Sequence, residues 1–212
     1  MNGLTQEVIS ALVDALRSEG WYHCPSFLNI DMVAALRADI AAQREQFAAA
    51  AVGRAQQRRQ QTAVRADATL WLNAGSVAQH AFLAIMEDLR LALNRHLYLG
   101  LFDYEAHYSH YAAGAFYRRH LDVFNLDGVD AAGARGPRRV LSTVCYLNDD
   151  WRSEHGGELI LWDSSDRELA RIAPRAGSAV FFLSAELPHE VLPAAVDRYS
   201  IAGWFRSQGQ LA

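Results

Sequence analysis

The sequence predicts an α+β chain that is mainly β, with N-terminal helices packed on one face of a sandwich or jelly roll. Three observations predict it. Residues 101–206 fall into short runs rich in Val, Tyr, Phe and Trp, broken by Gly, Pro, Asn and Asp, the texture of many short strands. The first hundred residues instead carry apolar positions at helical spacing. Helices come first and strands later, an order that segregates the helices to one side of the sheet system.

The elements follow in order. Residues 5–19 read as an amphipathic helix, with Val8, Ile9, Leu12, Val13 and Leu16 on one stripe and Gly20 as its stop. Trp21–Cys24 reads as a short strand. Asn29 or Asp31 caps a second helix, whose Ala-rich composition carries it to about Ala51. Ser76 caps a third through about Tyr98, with Phe82, Ile85, Met86, Leu89 and Leu93 on its apolar side. The strands then read LFDYEAHYSHY, AFYRRHLDVF, RVLSTVCYLN, GELILW, ELARIA, SAVFFLS, HEVLP and RYSIAGWFR. The longest insert, at 125–138, is rich in Gly and short of hydrophobics. Its two readings are a substrate-covering loop and a plain hairpin loop.

Composition bounds the function. A chain of 212 residues has room for one domain with a sizeable core, here 1–100 as helical support and 101–206 as the β core. Hydrophobic residues make up 51% and charged ones 21%, as in a globular protein, and the net charge of -4 speaks against a nucleic-acid partner. Residues 53–65 carry four Arg and no acid, and read as an exposed loop. No run approaches the roughly 18 apolar residues of a membrane span. The start MNGLTQEVIS has neither a basic nor an apolar leader region. Cys24 and Cys145 form no CxxC motif and read as two buried thiols. A cytoplasmic protein without a membrane partner is the expectation.

Chemistry concentrates in four residues. His120 and Asp122 form H-x-D, His189 lies 67 residues after Asp122, and Arg198 follows nine residues later. H-x-D alone recurs as a surface pair. On a strand, however, residues two apart share a face, so His120 and Asp122 can reach one ion. Two imidazoles and one carboxylate are the facial triad that holds non-haem Fe(II) with coordination positions left open. Arg198 opens RYSIAGWFR, where it shares a face with Ser200, Ala202 and Trp204. A buried Arg requires an anion, and its fork suits a carboxylate. Together the four point to iron with a dicarboxylate co-substrate, 2-oxoglutarate. Other polar positions carry plainer readings. His107 and His110 have surface or supporting roles. His155 lies in an exposed turn, and Gly156–Gly157 form a tight turn rather than a phosphate cradle.

From about Tyr104 to Arg206 the chain resembles the iron(II)- and 2-oxoglutarate-dependent prolyl hydroxylases, the oxygen-sensing animal enzymes and their bacterial relatives. The matching segments are YRRHLDVF, YLNDDW, GGELILW, PRAGSAVFFLSAELPHEVLP and RYSIAGWF; RADATLWL at 65–72 matches the family's R-x-D-x-x-x-W segment. The resemblance implies a double-stranded β-helix, a cupin-like jelly roll, with iron on His120, Asp122 and His189. It implies that Arg198 and Tyr146 bind the distal carboxylate of 2-oxoglutarate. Tyr111 and Tyr117 stand for the Tyr of the family's Y-P-G-x-G segment, here shortened to YAAGAFY. Trp204 matches a site-lining Trp, and Ala202 stands where the animal enzymes carry Thr. The implied reaction consumes O2, converts 2-oxoglutarate to succinate and CO2, and hydroxylates a prolyl residue of a protein or peptide. L-ascorbate is the implied reductant. Two alternatives stay open at this level: the same chemistry on a free amino acid or small metabolite, and a non-catalytic binding module.

Overall fold

The computed structural model describes residues 4–50, 64–123 and 137–208. Most of the Arg-rich 53–65 segment and of the 125–138 insert therefore lies outside the described residues. Helix α1 (Gln6–Ser18) is capped by the Thr5 hydroxyl, which accepts from the Val8 N–H at 3.3 Å, and it buries Leu12, Val13 and Leu16. Gly20, at φ +76°, turns the chain into β1 (Trp21–Cys24). Asn29 caps α2 (Ile30–Ala42), its Oδ1 accepting from the Met32 N–H at 2.8 Å. That helix stops at Ala42, well short of the expected Ala51. A 3-10 turn (Arg44–Gln46) follows, and Ala48–Ala49 form β2, paired with β3 (Ala68–Trp71). Alanine is a good helix former, but propensity is a small energy per residue, and here strand pairing and the partial burial of Phe47 against the core override it. Ser76 caps α3 (Val77–Leu97), which buries Phe82, Ile85, Met86, Leu89 and Leu93.

The β region contains β4 (Leu101–Tyr111), β5 (Tyr117–His120), β6 (Arg138–Tyr146), β7 (Leu159–Trp162), β8 (Glu168–Ile172), β9 (Ala179–Leu183), β10 (His189–Val191) and β11 (Arg198–Ser207). All eight strands read from the sequence are present. They form two antiparallel sheets, one ordered β1-β9-β6-β11-β4-β3-β2 and the other β5-β10-β7-β8. This is the jelly roll.

The central strands of the larger sheet are buried on both faces. Its outer face, with Ala106, Tyr108, Leu141, Cys145, Phe181, Ile201 and Phe205, joins the three helices in one apolar core. Its inner face, with Tyr111, Tyr146, Val180 and Phe182, meets Leu159, Leu161 and Val191 of the smaller sheet. The period-2 alternation of β11 thus sends Ile201 and Phe205 to the helices and Arg198, Ser200 and Trp204 between the sheets. Cys24 and Cys145 are buried free thiols. Both pair with Ala179 from opposite sides, so one strand separates them. Two strand spacings put their backbones about 9.6 Å apart, beyond the ~7 Å reach of a disulfide. Among the described residues no helix is long and apolar enough to cross a membrane.

Candidate active site

The cavity between the sheets holds His120, Asp122, His189 and Arg198, with Tyr111, Tyr117 and Trp204. His120 ends β5 and His189 begins β10, and the two are register partners with ring centroids 4.2 Å apart. Asp122 reaches them by a different route from the one expected. It lies in a bend two residues past the end of β5, so shared strand face does not place it. Instead its Oδ2 accepts a 2.8 Å hydrogen bond from the Ser142 hydroxyl on β6. Asp122 Oδ1 is 3.5 Å from His120 Nε2, and Oδ2 is 3.5 Å from His189 Nε2. One ligand atom from each residue lies within 4.8 Å of the other two.

Each imidazole is oriented from behind. His120 Nδ1 is 2.7 Å from the Arg118 carbonyl oxygen, and His189 Nδ1 is 3.2 Å from that of Leu187. A carbonyl only accepts, so each Nδ1 carries a hydrogen, and each Nε2 faces the Asp122 carboxylate. Burial pushes the His189 imidazole down to about 4, partly countered by Asp122. Burial alone would raise the Asp122 carboxyl. The charges of His189 and His120, with hydrogen bonds to the carboxylate, outweigh it and hold the group well below the usual carboxylate range. Two imidazole nitrogens and one carboxylate converging on a point are a donor set for a divalent cation, and of the kind suited to Fe(II). The donor chemistry fits that metal.

Arg198 lines the same cavity and is 1% exposed. Its Nε donates to the Gly157 carbonyl at 3.0 Å, and Nη1 lies 3.4 Å from Ser200 Oγ. Among the described residues no carboxylate pairs with it. Its Nη2 has no hydrogen-bond partner, and neither has the buried Tyr146 hydroxyl. The guanidinium carbon sits 5.0 Å from the Tyr111 ring centroid and 5.2 Å from that of Tyr146. Burial pushes the Tyr146 phenol up to about 12, with Arg198 pulling the other way, and holds Tyr111 well above its ordinary range. Both therefore remain hydrogen-bond donors at neutral pH. Two buried donors with unmet capacity in a dry pocket cost free energy unless an acceptor joins them. A carboxylate fits.

Tyr117 and Trp204 lie elsewhere in the cavity. The Tyr117 ring stacks on His120 at 3.5 Å and lies under Arg65 at 4.7 Å, beside the trio rather than at Arg198. The Trp204 indole packs against His107 and Trp71, with the Arg139 guanidinium 3.5 Å from its ring. The cavity also contains residues to which the sequence assigned no ligand role. Arg65 grips Asp67 through two bonds of 2.5 and 2.7 Å. His107 is buried on the inner face, where burial pushes its pKa down to about 4. Ser142 shares the parity of Tyr146 on β6, and His107 that of Tyr111 on β4. That period-2 signal was readable in the sequence. His110 faces the other way, paired with Asp197 at 3.0 Å and stacked on Tyr199. His155 is half-buried against Trp151 rather than exposed. Gly156 and Gly157 do form a tight turn, at φ +67° and +72°. The Gly157 carbonyl faces Arg198, and a Cβ there would lie 2.8 Å from Ala194 Cβ.

Comparison with known proteins agrees with this geometry. Residues 106–206 match the 2OG-Fe(II) oxygenase superfamily. A prolyl-4-hydroxylase from Pseudomonas putida is 38% identical in sequence. It superposes with a TM-score of 0.81 over 95% of this chain and 100% of that one. A Trichoplax adhaerens prolyl hydroxylase, solved with a peptide fragment of the hypoxia inducible factor oxygen degradation domain, shares the fold at a TM-score of 0.79. It has 22% identity, over 94% of this chain and 89% of that one. Egl nine homolog 1 of Rattus norvegicus is 35% identical over 94 residues, 43% of this chain. That match spans only 25% of the relative's length.

Proposed function

This chain belongs to the prolyl hydroxylases of the 2OG-Fe(II) oxygenase superfamily, and from that premise we propose that it hydroxylates a prolyl residue in a protein or peptide. In this reading His120, Asp122 and His189 hold Fe(II) through two Nε2 atoms and a carboxylate oxygen. Arg198 and Tyr146 take the distal carboxylate of 2-oxoglutarate. Tyr111 walls the same end, Tyr117 braces His120, and Trp204 lines the space above Asp122. Bound there, iron, 2-oxoglutarate and O2 supply oxidative decarboxylation to succinate and CO2 coupled to transfer of a hydroxyl group. The chain's own contribution is geometric. Gly157 and Ser200 fix the fork of Arg198, which in turn sets how a dicarboxylate points toward the trio. The apolar walls Leu159 and Val191 exclude water from the charged centre.

The observation that carries the reading is the buried Arg198, whose Nη2 has no partner, lining one cavity with the His–Asp–His trio, with the unpartnered Tyr146 hydroxyl on a ring 5.2 Å from its guanidinium. The reading extends to a single domain spanning 1–212 and to L-ascorbate as the reductant keeping iron as Fe(II). It also extends to a cytoplasmic location, which the two buried free thiols favour. A net charge of -4 favours polypeptide over nucleic acid as partner.

The test is incubation of the iron- and 2-oxoglutarate-loaded protein with lysate of its host, followed by peptide mass spectrometry. Peptides gaining one oxygen on proline support the proposal. Succinate release without any modified peptide points to a small-molecule substrate. No succinate at all points to a binding module without turnover.

A further inference from the structure

We infer that Ser142, backed by Ser184, is the positioning residue that holds the Asp122 carboxylate ready for its metal. The inference rests on the reading of His120, Asp122 and His189 as a metal site. Each imidazole of the trio is fixed by a strand and by its own carbonyl partner. Asp122 has neither kind of support, because β5 ends at His120 and Asp122 follows in a bend. The terminal torsion of an Asp side chain is broad, so a carboxylate at such a point would rotate among orientations of which only some face both Nε2 atoms.

Ser142 removes that freedom. It sits on β6, inside the seven-stranded sheet between β9 and β11, where it pairs with Phe182 and Trp204. It is 1% exposed and Ser184 is 0% exposed. The Ser142 hydroxyl donates to Asp122 Oδ2 at 2.8 Å and also lies 2.9 Å from Ser184 Oγ. Ser142 has one proton, and the carboxylate can only accept. The proton between the two serines therefore comes from Ser184, giving a directed chain Ser184 to Ser142 to Asp122. Each hydroxyl in such a chain polarises the next, in a site too dry for water to compensate. With Oδ2 held, Oδ1 stays 3.5 Å from His120 Nε2, facing the point on which the trio converges.

The test is anaerobic Co(II) titration of the full chain, read by the visible absorption of bound Co(II), with the thermal midpoint of each metal-free protein measured in parallel. Ser142→Thr and Ser142→Val are nearly isosteric and differ in the hydroxyl alone. The Thr variant should keep the wild-type affinity and Co(II) spectrum. The Val variant should bind Co(II) about 10- to 100-fold more weakly, the usual effect of losing a group that orients a metal ligand, with an altered spectrum. Ser184→Ala leaves Ser142 in place and should show a smaller loss in the same direction. It serves alone if the Val variant does not fold. Equal affinities and spectra for the Thr and Val variants, or for Ser184→Ala and wild type, overturn the inference while leaving the metal reading intact. A wild-type protein that takes up no Co(II) or Fe(II) overturns the metal reading, and this inference with it.

Discussion

Replacing Arg198 with Lys keeps the positive charge and removes the fork. In the native site the guanidinium spends Nε on the Gly157 carbonyl at 3.0 Å and keeps Nη2 free beside the unpartnered Tyr146 hydroxyl. A lysine ammonium at this depth cannot hold the carbonyl and present donors in the plane of a carboxylate at once. At least one charge-assisted hydrogen bond to the co-substrate is lost. Such a bond is worth roughly 1.5–3 kcal/mol, and each ~1.4 kcal/mol is a factor of ten in affinity. The KM for 2-oxoglutarate should therefore rise by at least about 10-fold, with Co(II) affinity in the absence of co-substrate little changed. Succinate production measured against 2-oxoglutarate concentration reads the first quantity, and metal titration the second. An unchanged dependence on 2-oxoglutarate would place the co-substrate carboxylate elsewhere and refute the pocket assignment.

Other outcomes follow from the same geometry. Asp122→Ala should abolish metal uptake and succinate release together; full metal occupancy in that variant, seen by elemental analysis, would remove Asp122 from the trio. Gly157→Ala places a Cβ at φ +72°, 2.8 Å from Ala194 Cβ and 3.4 Å from Arg198 Cδ. It should cost about 1–3 kcal/mol in denaturant unfolding and raise the KM for 2-oxoglutarate, and unchanged values of both would argue that the turn relaxes freely. His107 takes up its proton near 6.5 when unfolded and only near 4 when buried. The unfolded chain therefore binds more protons between those values, and stability falls on acidification through that window. The effect amounts at most to something on the order of 3 kcal/mol. His107→Gln should flatten the fall in unfolding free energy between pH 6.5 and 4, and an identical pH profile would show that His107 protonates without penalty.

Strands and most of the caps were legible along the chain, because period and punctuation are local properties. Asn29 and Ser76 cap helices through their own side chains as read, while Thr5, read as the first helical residue, is the cap of α1, and alternation in RYSIAGWFR already separated Arg198, Ser200 and Trp204 from Ile201 and Phe205. The chemistry was legible for a related reason: two imidazoles, a carboxylate and a buried Arg have few joint uses, and the family segments placed them. Tertiary structure decided what depends on neighbours distant in the chain. The Ala-rich stretch after Ala42 became a paired edge strand, because pairing with Ala68–Thr69 and partial burial of Phe47 outweigh a helical preference that is small per residue. Asp122 reached its partners through Ser142, 20 residues on, rather than through the strand geometry that H-x-D suggests. The Gly157 carbonyl joined the site in the same way, and packing decided that His107, read as a surface or supporting residue, lies buried beside it. A cavity between two sheets is assembled from strands far apart in sequence, and no local pattern records which faces will meet.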